Sequence, residues 1–144
     1  MKEEILKKIL LELKTLNKDK NKILDELKTI DKPIWVKSGK DKKLLKVDEI
    51  AFITILKSKI NIYTIKGNIY NSSSTISKID KEFENDNRLF RSHKSYIVNL
   101  NNINLVKVSA TGRELNFKGI LKKYKAKVSY DKVSEFENQL GKIK

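Results

Sequence analysis

The sequence predicts a mainly β domain behind a single N-terminal helix, and three observations carry that expectation. Residues 2–31 contain neither Gly nor Pro and set apolar residues in alternating steps of three and four. Pro33, the only proline, follows and stops that pattern, because the residue before a proline is pushed out of the helical region. Beyond it the chain breaks into short β-branched and aromatic runs separated by turn residues.

Taken in order, the N-terminal helix comes first. Leu6, Leu13, Lys20 and Leu27 share one heptad position, and Ile9, Leu16, Ile23 and Ile30 share the other. About four heptads with one polar break form the pattern of a short coiled coil, and a homodimer through this seam is expected. Lys20 at a core position weakens the seam and can set register or partner number. Ile5, Leu10 and Leu24 widen the stripe, which leaves open that the helix docks on its own domain instead. Either way the apolar face needs a partner, since an isolated helix of this length is marginal in water. The expected organisation is residues 1–32 as an amphipathic dimerisation helix and 33–144 as one globular domain.

In the second part, Ile34–Val36 and Lys43–Val47 read as strands. Ala51–Leu56 and Ile60–Ile65 flank the turn Lys57-Ser58-Lys59, and Asn68–Asn71 follows Gly67. Ser72 to Thr75 supply N-cap candidates for one short internal helix with Ile76, Ile79 and Phe83 on a single face. Leu89–Ser92, Tyr96–Val98, Ile103–Val108, Glu114–Phe117 and Tyr124–Val128 continue the strands, with a hairpin turn at Ala110–Arg113. Residues 131–140 space Val133, Phe136 and Leu140 for a closing helix.

Composition narrows the function. The chain has 144 residues, no Cys, one His and a formal charge of +14. Residues 1–32 carry nine Lys against seven acids, whereas 33–144 carry 23 Lys+Arg against 11 acids. The positive field therefore belongs to the second part, and it attracts nucleic acid, anionic membrane or acidic protein. The near charge balance of the amphipathic helix argues against a membrane surface. Without Cys no Cys-His pair or Cys-based zinc site can be assembled, and with His93 alone no zinc or copper site is expected. No phosphate-binding glycine loop is present, so no enzyme, cofactor or small-molecule substrate is expected. The charged start is neither signal peptide nor membrane span, which places the protein in the cytoplasm by default.

Three basic turns stand out: Lys57-Ser58-Lys59, Arg91-Ser92-His93-Lys94-Ser95, and the stretch Lys118–Lys127 with five lysines and no acid. Turns at the end of a rigid β scaffold can enter a groove, where Lys and Arg meet phosphates and base edges. Taken singly, each reads first as a solvated strand end, and it is their joint presence in so basic a module that favours binding.

The run Phe90-Arg91-Ser92-His93-Lys94-Ser95-Tyr96-Ile97-Val98-Asn99-Leu100, with Ile103 after it, resembles the signature of the LytTR DNA-binding domain family. More loosely, the likeness extends from about Trp35 to Leu140. It implies an elongated antiparallel β-sandwich that binds double-stranded promoter DNA as a transcription regulator, through loops in successive major grooves. The positions that carry over are Lys59 with Lys57 and Ser58, then Lys94 with Arg91, His93 and Ser95, and finally the segment Ser129-Tyr130-Asp131-Lys132. Asn101, in the tail of the signature, joins the DNA-facing candidates. Within the last segment Asp131 stands about where the family carries an Arg, and Lys132 is expected to take over the cationic role. About thirty residues of helix occupy the place of a phosphorylatable receiver domain, so a regulator not switched by its own phosphorylation is expected. The alternative is a coiled-coil adaptor that binds an acidic protein or another regulator.

Overall fold

The computed structural model describes residues 6–8 and 32–143. The chain divides into two compact units, residues 1–32 and 33–144. In the first, residues 6–8 are helical and Leu6 is exposed. The other seam positions, Ile9, Leu13, Leu16, Lys20, Ile23, Leu27 and Ile30, lie outside the described residues. The second unit is mainly β and antiparallel throughout, as the sequence predicts.

Among the described residues ten strands form two sheets. The larger is built from β1 (Ile34–Ser38), β2 (Asp41–Leu45), β3 (Ile50–Leu56), β4 (Lys59–Thr64), β5 (Ile69–Ser72), β6 (Leu89–His93) and β7 (Tyr96–Asn99). Its order is β2-β1-β5-β4-β3-β7-β6. The smaller sheet sets β9 (Gly112–Phe117) between β8 (Ile103–Ser109) and β10 (Lys125–Ser129). Two helices complete the domain, α1 (Ile76–Glu82) and α2 (Val133–Ile143), and α2 continues from a 3-10 turn at Tyr130–Lys132.

Each element follows from its residues. Strand β3 is buried from Ile50 to Thr54 because it lies centrally and is covered on both faces, hence its unbroken apolar run. Thr75 caps α1 by accepting from the backbone N–H of Lys78 at 3.2 Å. The expected face of Ile76, Ile79 and Phe83 then packs beneath the sheet with Ile34, Val36, Ile53, Ile62 and Ile97. The other face of the large sheet meets the small sheet. There Phe52 stacks between Tyr63 at 4.3 Å and Phe117 at 4.6 Å. Phe136 of α2 is fully buried in this second core, its ring 5.9 Å from Phe90.

One glycine is obligatory. Gly112 has φ +147°, and a Cβ there would sit 2.0 Å from the Val128 carbonyl. It is paired with Ser109 on one side and Ser129 on the other, so the β8–β9 turn is tighter than the predicted four-residue gap. Only Ala110 and Thr111 lie outside the strands.

Candidate nucleic-acid interface

The β3–β4 turn is a two-residue loop closed by the Leu56–Lys59 pair. Lys57 and Ser58 occupy it with φ +51° and +65°, both left-handed and neither a glycine. That is the geometry a two-residue hairpin wants, filled by residues that adopt it at a cost. Lys57, Ser58 and Lys59 are all exposed.

The β6–β7 turn lies at the same end of the sheet. β7 is the neighbour of β3, Tyr96 pairs with Thr54, and the N–H of Ile55 donates to the Ser95 carbonyl at 3.3 Å. Within this turn His93 Nδ1 accepts from the Ser95 N–H at 3.1 Å, and its ring meets Tyr96 edge-on at 5.7 Å. The histidine holds the bend that presents Lys94. Burial lowers its pKa below the ordinary value; Lys94 and Lys127 push the same way, and Asp131 partly opposes them. Arg91 is also structural in part. Its guanidinium donates to Ser77 Oγ at 3.2 Å and to the Lys94 carbonyl at 3.1 Å, and it faces Asp80 at 3.9 Å. Ser77 and Asp80 lie three apart on α1, away from its apolar face, and no local signal in the sequence pairs them with Arg91.

The third segment is fastened to the second. Ser92 Oγ donates to the Lys127 carbonyl at 2.8 Å, and Ser129 Oγ donates to the Ser92 carbonyl at 3.3 Å. The end of β10 and the turn into α2 thereby reach the β6–β7 turn. Asp80, Arg91, His93, Lys94, Ser129, Asp131 and Lys132 line one open concavity of about 430 Å³. With other described residues, none of Lys57, Lys59, Lys94 and Lys132 forms an ion pair.

Two expected members are placed elsewhere. Asn101 sits at the other end of β7, beyond Asn99, where its N–H donates to Asn99 Oδ1 and its carbonyl accepts from Lys118 Nζ. Asn99 itself is buried and donates to the carbonyls of Val47 and Ile50, tying β7 to the start of β3. The basic stretch Lys118–Lys127 is divided too. Lys125 pairs with Asn116 at the far end of β10, whereas Lys127 lies beside Ser92.

The geometry offers exposed cations and hydroxyls at one end of a rigid sheet. Among the described residues no group of His, Cys, Asp or Glu could hold a metal ion, and no helix is long and apolar enough to cross a membrane. No curated protein matches the chain. Among solved structures, the LytTr DNA-binding domain of a methyl-accepting/DNA response regulator from Bacillus cereus is similar in fold, with a TM-score of 0.64 at 16% identity. The match covers 76% of this chain and 96% of that one. The LytTr DNA-binding domain family matches residues 40–141, well over half of the chain, and the chain belongs to that family.

Proposed function

We propose that the protein is a sequence-specific, double-stranded DNA-binding transcription regulator, carried on DNA as a dimer through residues 5–30. The observation that supports this most is convergence. Lys57–Lys59, His93–Ser95 and Ser129–Lys132 are far apart in sequence, and all stand at one end of the large sheet with their lysines unneutralised. Exposed turns at the end of a rigid sheet suit the major groove, where Lys59, Lys94 and Lys132 reach phosphates and guanine acceptors. Phosphate neutralisation supplies most of the affinity, and the turns supply the reading.

Selection of bound fragments from genomic duplex DNA, followed by a salt-matched titration of the winner against a scrambled duplex, tests this reading. The expected result is an enriched motif and a preference of at least about 10³-fold over the scrambled duplex. Weak binding that is blind to sequence would instead favour the adaptor, with an acidic protein as its partner.

A further inference from the structure

A row of polar side chains crosses the whole large sheet at the level of the β6–β7 turn. Directly opposed residues link His93 to Tyr96, Tyr96 to Thr54, Thr54 to Asn61, Asn61 to Asn71, Asn71 to Lys37, and Lys37 to Lys42. Opposed residues share a face, so all seven strands contribute to a single strip. Six inter-strand steps make it about 29 Å long. Phe52 and Tyr63 share this face, and there they pack against the small sheet. Strands β1, β2 and β5 contribute nothing to that inter-sheet core, so the far end of the strip lies open.

That open end has an unusual composition. Lys37 and Lys42 oppose each other directly, an arrangement that costs stability unless an anion lies nearby. Among the described residues neither has an ion-pair partner. Lys43, on the opposite face, is by contrast engaged with the Tyr70 hydroxyl at 3.2 Å. Trp35, also on the open face, is 59% exposed, and with Lys37, Lys42, Ser72 and Ser73 it lines a shallow hollow. Ser72 pairs with Ile60, next to Lys59, so the hollow lies toward the same sheet end as the β3–β4 turn.

We propose that Trp35, Lys37 and Lys42 form a flanking clamp for the phosphate backbone of the duplex whose bases the turns read. This rests on the DNA reading above and extends its footprint. The lysines neutralise phosphates, and the indole N–H adds a donor beside them. The contact carries no sequence information, because it touches only the backbone.

Trp35 is the only tryptophan, so its emission reports on this hollow alone. The full chain is titrated with the selected duplex in two forms, with long flanks and with flanks trimmed to the motif. A Lys37→Ala/Lys42→Ala variant is run beside it across a salt series. Removing a like-charge pair leaves the fold intact, which a thermal melt checks. The expected result is a Trp35 emission change with the long duplex only. The variant's log affinity against log salt should lose a slope of about 2 on the long duplex, equally for motif and scrambled sequence. Wild type on the trimmed duplex should then match the variant. Tight motif binding with Trp35 emission at its free value, or with an unaltered salt slope, overturns the clamp while leaving the DNA reading standing. Docking of a second copy or an acidic protein in the hollow would give that outcome. Failure of the wild type to bind any duplex overturns both.

Discussion

At the residue scale, His93 and Lys94 divide the work of one bend. His93 Nδ1 accepts from Ser95, so the ring proton of the neutral form sits on Nε2. Its folded pKa lies below the unfolded value of about 6.5. Between the two, the unfolded chain binds the extra proton, so stability rises with pH through that window and this group adds no further slope above it. Urea midpoints across that range should show the slope in wild type and not in His93→Gln; an equal slope in both would reject the assignment. Lys94 is exposed and carries no such structural duty. Lys94→Ala should weaken binding to the selected motif by about 1–3 kcal/mol if it reads a base, with the melting temperature unmoved. Asp131 lies in the same concavity without an ion-pair partner among the described residues, and in the proposed complex a carboxylate there would repel phosphate and could accept from the amino group of cytosine. Asp131→Ala is therefore expected to raise affinity for scrambled DNA and to relax one position of the motif.

At the element scale, the β3–β4 hairpin keeps two non-glycine residues in the left-handed region at its tip. Replacing Lys57-Ser58 by Asn-Gly suits that turn and should stabilise the domain by about 1 kcal/mol, read as a shift in urea midpoint. The same change removes a cation from the proposed reading end, so motif affinity should fall as stability rises; a gain in both would show that the lysine has no part in binding. This hairpin was legible in the sequence because two β-branched runs flank three turn residues. So was the start of α1, where Thr75 precedes an apolar face at helical spacing. The long-range placements were not legible. Nothing local says that β5 separates β1 from β4, or that Gly112 must be bare because Val128 will lie against it. The candidate site divides the same way. Lys59 and Lys94 stand out as basic turns, but that Ser129 hangs from Ser92 depends on a contact across 37 residues. Arg91 reads in sequence as one more free cation, and only the folded turn and the placement of α1 show it gripping the Lys94 carbonyl and Ser77.

At the scale of the whole molecule, the charge is segregated and the lengths match. Residues 33–144 hold nearly all of the positive excess, and the strip across their large sheet spans about 29 Å, close to the rise of one DNA turn at about 34 Å. On the proposed footprint one domain would cover about one turn, and binding two adjacent sites would require two domains. The heptad seam of residues 5–30 is the element that would tether them, turning the second encounter into an intramolecular one. Leu13→Asp with Leu16→Asp should abolish self-association in sedimentation and lower affinity for a two-site duplex by about 10²-fold. Affinity for a single site should stay within twofold or so, because the substitutions lie outside the DNA-binding domain. Lys20→Leu, which completes the seam, should act oppositely on assembly while leaving single-site affinity alone. If Leu13→Asp/Leu16→Asp leaves the two-site affinity unchanged, residues 5–30 do not link DNA-binding units.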